Sequence, residues 1–213
     1  MKRKTEVIVF NYCGDINKLD PTLLWYGFYE AAEGTAYNRI RRVEVGMMLS
    51  KAKVGSGMEF DIETTETERS IFLIGLDRSL DTENLHISDP SEKLRYTGRK
   101  IYPGQEFILS EQDNYKLSAT GSVSSSGPCP DLKDYKLIFS GNRYDKTVTF
   151  DIGKELQSKG QCGMPEIYWY GDFTGDGIPE IIFVSVYDEK NHFTLFLSDP
   201  RDGKPVLEKQ SEW

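Results

Sequence analysis

From about residue 40 onward the apolar residues fall in short runs separated by Gly, Asp, Asn and Pro, which is the spacing of strands and turns rather than of helices. Val43–Met47, Met58–Ile62, Ser70–Leu76, Glu106–Leu109, Tyr115–Thr120, Tyr135–Phe139 and Lys146–Ile152 each alternate or are rich in β-branched and aromatic residues. Further strands are expected at residues 6–12, at Tyr168-Trp169-Tyr170 and at Ile181–Tyr187. Helical expectation is confined to Pro21–Ala32, where Pro21 suits a first turn, and a short turn at Lys154–Gln157. Trp25-Tyr26-Gly27-Phe28-Tyr29 reads equally as an aromatic strand, since Gly costs a helix interior about 1 kcal/mol relative to Ala. The fold class expected is mainly β, with antiparallel sandwich or barrel-like sheets and little helix.

Segment 121–131, Gly-Ser-Val-Ser-Ser-Ser-Gly-Pro-Cys-Pro-Asp, has the composition of a flexible loop. It suggests a sandwich-like part over 1–120 and a hairpin-rich part over 132–213, which could share one core as a continuous domain. No pattern recurs at a fixed period, which argues against a propeller built within this chain alone.

Composition narrows the function classes. The chain is 38% hydrophobic, 28% charged and 12% aromatic, the profile of an ordered globular protein. Its net charge of −8, with only short basic clusters at Lys2–Lys4 and Arg39–Arg42, disfavours a nucleic-acid surface and makes cations the natural small partners. No window approaches the roughly 20 apolar residues that cross a bilayer. The start of the chain is basic, but its apolar stretch is short and contains Glu6, so it reads as a strand and not as the apolar core of a leader. Cys13, Cys129 and Cys162 lack metal-ligand spacing, and they fit one disulfide with a free thiol as well as three separate thiols.

One motif carries chemistry: Asp172-Phe-Thr-Gly-Asp-Gly-Ile-Pro-Glu180. A calcium ion takes six to eight oxygens, and short loops supply them at alternate positions, with Gly at the sixth for the sharp turn. Here Asp172, Thr174, Asp176 and Glu180 stand at positions 1, 3, 5 and 9, Ile178 offers a backbone carbonyl at 7, and Gly177 is the turn glycine. Position 12 is Phe183, inside an apolar run, so the loop joins strands and is not an EF-hand. The opposing reading is an ion-free polar turn, because Asp-Gly between two apolar runs is also a strong hairpin signal.

The loop resembles the calcium loops of integrin-type propeller blades, the FG-GAP repeat, with Thr174 where that pattern has Asn and Glu180 where it has Asp. The resemblance implies a calcium site held by Asp172, Thr174, Asp176, Ile178 and Glu180, with Thr174 the weakest donor. The stretch from Ile167 through Ser198, with Pro103-Gly104-Gln105 upstream, also resembles the C-terminal segment of a group of bacterial proteins that carry a single such loop. That resemblance brings no activity with it.

The remaining candidates are weaker. His86 and His192 are the only histidines, and neither sits in a nucleophile motif. Paired carboxylates for sugar hydrolysis cannot be chosen from 34 acids without geometry. Trp25–Tyr29 reads as core, with a stacking platform as the functional alternative. Arg39, Arg41 and Arg42 read as an exposed strand edge, and Glu63, Glu66 and Glu68 as a solvated face. The leading expectation is a non-enzymatic, calcium-binding interaction domain with a protein or glycan partner, bacterial and secreted or periplasmic. The alternatives are a calcium-dependent hydrolase without identified catalytic residues, and a cytosolic regulatory protein with an ion-free hairpin.

Overall fold

A computed structural model describes residues 5–9, 20, 22–49, 60–85, 87–112, 114–124, 132–143, 146–153, 156, 164–187, 190–199 and 206–212. The chain is mainly β, its sheets are antiparallel, and one short helix occurs among the described residues. Two compact units divide it, Met1–Asp89 and Pro90–Trp213. Among the described residues no helix is long and apolar enough to cross a membrane.

The first unit contains β1 (Thr5–Val9), β2 (Leu24–Tyr29), β3 (Tyr37–Val43), β4 (Val45–Leu49), β5 (Phe60–Thr64), β6 (Phe72–Leu76) and β7 (Ile87–Ser88). Five of them form a sheet in the order β1-β6-β2-β3-β7, while β4 and β5 pair as a separate ladder. The helix expected over Pro21–Ala32 is replaced by β2, as the aromatic-strand reading anticipated. Trp25, Tyr26, Phe28 and Tyr29 are all buried, and Phe28 stacks on Phe72 of β6 at 4.4 Å between ring centroids. A strand offers both of its faces for such burial, whereas a helix buries one stripe. Gly27 is required because the Tyr29 ring lies across it: a Cβ there would stand 2.6 Å from the Tyr29 hydroxyl.

Arg39 and Arg41 do lie on a strand, but they are engaged. Each guanidinium sits over the Tyr29 ring, at 5.9 and 5.7 Å from its centroid. Arg39 also pairs in a two-pronged fashion with Glu68, and Arg41 pairs with Glu66 at 2.7 Å. Glu66 and Glu68, on the solvated side expected for them, are also straps across β3.

The second unit opens with α1 (Ser91–Thr97), which buries only Leu94. Its shortness and single apolar contact explain why no helical periodicity announced it. The strands β8 (Glu106–Ser110), β9 (Tyr115–Val123), β10 (Leu132–Arg143) and β11 (Lys146–Asp151) form one meander. A second meander contains β12 (Glu166–Gly171), β13 (Glu180–Tyr187), β14 (Lys190–Asp199) and β15 (Val206–Glu212). Phe107, Leu117 and Phe139 from the first sheet share a core cluster with Ile167, Phe183 and Phe196 from the second, so this unit is a sandwich. The Pro103-Gly104 pair forms the tight turn before β8: Gln105 N–H donates to the Tyr102 carbonyl at 2.9 Å, and Gly104 has φ +85°.

The boundary between the two compact units falls at Asp89–Pro90. Residues 121–123 belong to β9, and Val123 and Ser122 pair with Leu132 and Lys133 of β10. Gly121 permits this because it has φ +116° and faces a bulge at Asp134, which itself has φ +54°. Residues 125–131 lie outside the described residues, as do Cys13, Cys129, Cys162, His86 and most of the turn expected at 154–157.

Candidate metal centre

The Asp172–Glu180 loop joins β12 to β13, the first two strands of the second meander. Its chain reversal relies on two glycines in the left-handed region, Gly175 at φ +73° and Gly177 at φ +83°, a conformation that costs other residues strain. Two apolar side chains anchor the loop. Phe173 and Ile178 are fully buried, Phe173 beside the Trp169 ring and Ile178 in the sandwich core.

Asp172 organises the turn. Its Oδ1 accepts from the Gly175 and Asp176 N–H groups at 2.8 and 3.0 Å, and its Oδ2 accepts from Gly177 N–H at 2.7 Å. The Asp176 Oδ1 atom accepts from Ile178 N–H at 2.9 Å, so Ile178 serves the loop through its backbone while its side chain serves the core. Glu180 is entirely buried at the head of β13. Its Oε2 accepts from Phe173 N–H at 2.8 Å and Thr174 N–H at 3.3 Å, and its Oε1 accepts from the Thr174 hydroxyl at 2.8 Å.

The carboxylates of Asp172, Asp176 and Glu180 converge: one oxygen from each lies within 4.8 Å of the others, a group that could hold a metal ion. Thr174 joins them through Glu180. A fifth residue, unforeseen from the loop spacing, is Ser198 on β14. Its hydroxyl is fully buried and stands 2.7 Å from Asp176 Oδ2 and 2.6 Å from Glu180 Oε1. The only trace of Ser198 in the sequence is one small polar residue closing the apolar run Leu195-Phe196-Leu197; its role depends on β13 and β14 pairing, which brings Ile181 opposite Phe196.

The Thr174–Glu180, Ser198–Glu180 and Ser198–Asp176 contacts are all within 2.8 Å, but the two hydroxyls supply only two protons. A third proton on a carboxyl, or a cation among the oxygens, completes the network. Electrostatics agree: burial pushes Glu180 up to about 8, the Asp172 and Asp176 charges add to the rise, and the Ser198 and Thr174 hydrogen bonds oppose it. Asp172 is also raised, chiefly by burial, against the lowering effect of its backbone donors.

Of the other residues singled out in the sequence, His192 falls in β14 opposite Ser185, and Trp25–Tyr29 forms the buried strand already described. No protein family, curated protein or solved structure matches the chain.

Proposed function

We propose that the Asp172–Glu180 loop is a calcium site of the FG-GAP kind and that the protein is a non-enzymatic interaction domain in which the ion fixes the β12–β13 hairpin. The convergence of the three carboxylates is the observation that carries this reading. Asp172, Thr174, Asp176 and Glu180 are the side-chain ligands of the proposal, with the Ile178 carbonyl beside them. Hard oxygens and a buried excess of negative charge suit a divalent cation, and a site built from several carboxylates and a carbonyl suits calcium better than the strictly octahedral, water-rich magnesium. The ion also removes the proton shortage around Ser198, since its charge lets Glu180 ionise without a third hydrogen.

Open loops of this kind bind calcium at about 10⁻⁴–10⁻³ M in extracellular modules, a concentration found outside cells. The proposal therefore extends to a secreted or periplasmic setting and a protein or glycan partner. A second reading, an ion-free hairpin, is favoured by one observation: Asp172 already accepts three backbone hydrogen bonds without a metal. Melting the protein in calcium and in chelator separates the two. Ligand at 100 times Kd adds about 2.7 kcal/mol, which for a chain of this size is a rise of roughly 5–10 °C. An unchanged melting temperature leaves the ion-free hairpin as the account.

A further inference from the structure

The carboxylate group in the loop is met from outside by a side chain of another strand. Ser198, on β14, is fully buried, and its hydroxyl stands 2.6 Å from Glu180 Oε1, 2.7 Å from Asp176 Oδ2 and 3.3 Å from the Thr174 hydroxyl. The Thr174 hydroxyl in turn lies 2.8 Å from Glu180 Oε1. Three loop residues and one residue of β14 therefore bring four side-chain oxygens into a single cluster. Oxygens that share one calcium ion at about 2.3–2.6 Å stand roughly 3 Å from one another, which is the spacing of this cluster.

A residue that only steadies a ligand from behind touches that one ligand. Ser198 touches Thr174, Asp176 and Glu180 together, which is the position of a ligand among ligands. Two hydroxyl protons serve the three contacts of 2.8 Å or less, a shortage that a cation among the oxygens removes. We propose that Ser198 is itself a ligand of the calcium ion, so that the ion joins β14 to the β12–β13 loop. This rests on the calcium reading of the loop and extends its ligand set beyond the loop. The hydroxyl is a neutral, hard oxygen, so it adds to the coordination without adding charge beside three carboxylates. It also fills a place on the ion that water otherwise takes. Calcium then fixes the hairpin and ties it to the next strand, at the position where β14 faces Leu207 of β15.

Counting the water molecules on the ion tests this directly. Europium(III), a hard cation of about calcium's size that also prefers oxygen ligands, is loaded into the whole protein, and its luminescence decay in light and heavy water gives the number of bound waters. Wild type is compared with Ser198→Ala and Ser198→Cys. The thiol of the second variant nearly fills the same space, which keeps the test open should the alanine variant fail to fold, but sulfur is a soft, poor ligand for a hard cation. The count is expected to rise by about one water in each variant, and calcium affinity, measured by calorimetry, to fall by about tenfold. A fall in affinity with the water count unchanged overturns the proposal, because Ser198 then steadies the ligands from outside the coordination shell. Affinity and count both unchanged overturn it as well, and leave the calcium site of the loop standing. Wild type that binds neither calcium nor europium removes the calcium reading itself, and this proposal with it.

Discussion

Replacing Glu180 by Gln should stabilise the protein in chelator, and calcium at 100 times Kd should bring wild type about level with the variant. Glu180 is fully buried and its carboxyl is pushed from an ordinary 4.5 up to about 8. A carboxyl raised in the folded state binds more protons folded than unfolded, so stability is unaffected below about 4.5, falls as pH rises towards 8 and is level beyond it. At pH 7 the unfolded chain has released this proton and the ion-free fold retains it. That difference of 2.5 pH units from the ordinary value of 4.5 costs the ion-free fold about 3 kcal/mol at 1.36 kcal/mol per unit. Gln keeps the shape, accepts from Phe173 and Thr174 N–H as Glu180 does, and turns its amide towards the Ser198 and Thr174 hydroxyls, which can rotate to accept. Urea melts in chelator should therefore show Glu180→Gln more stable by about 2–3 kcal/mol at pH 7 and by less than about 1 kcal/mol at pH 5. Calcium should then raise wild type by about 2.7 kcal/mol at 100 times Kd and leave the variant unmoved. A variant less stable than wild type in chelator at pH 7 would show that the buried carboxyl is ionised without an ion. A calcium gain as large as wild type would remove Glu180 from the site.

Other consequences are simpler to measure. Ser198→Ala removes a hydroxyl shared by Asp176 and Glu180 and should lower stability by about 1–3 kcal/mol in chelator, read from denaturant midpoints. Gly177→Ala places a Cβ at φ +83°, where space is free but the backbone is strained, and should lower the melting temperature by a few degrees and weaken calcium binding together. Gly141→Ala drives a Cβ into the Tyr115 ring and should cost more, about 1–3 kcal/mol or above, with calcium binding retained if the protein folds. Arg41→Ala breaks a half-exposed ion pair and should change stability by less than about 1 kcal/mol, with the difference shrinking in high salt.

Most of the strands were legible because alternating or aromatic runs bounded by Gly, Asp and Pro report local geometry directly. The β12 and β13 strands are the clearest instance: aromatic residues lead into the loop, and Ile181-Ile182-Phe183 leads out fully buried. Three features escaped for physical reasons. Helix α1 buries a single residue, so it leaves no period to detect. Gly-Ser composition at 121–123 suggested a loop, but pairing with β10 at a bulge overrode local propensity. Arg39 and Arg41 read only as an exposed strand edge, and their partners Glu66, Glu68 and the Tyr29 ring are brought to them by the tertiary fold.

The candidate site divides the same way. Asp172, Thr174, Asp176 and Glu180 stood out in the sequence because they lie at alternate spacings in one short segment, and the fold brings the three carboxylates within 4.8 Å of one another. Ser198 did not stand out, since its place beside them comes from the register of β14 against β13. Nor does spacing disclose that Ile178 is a core residue whose N–H braces Asp176, or that Glu180 is sealed from solvent.

Calorimetric titration of calcium into protein stripped with chelator, with magnesium as the control and Asp176→Asn as the blank, bears most directly on the central claim. The account predicts one saturable calcium site of about 10⁻⁴–10⁻³ M, weaker for magnesium, lost in the variant and stronger as pH rises from 6 to 8 while Glu180 gives up its proton. Absence of saturable heat at tens of millimolar calcium, with an unchanged melting temperature, would contradict it and leave the loop a hydrogen-bonded turn.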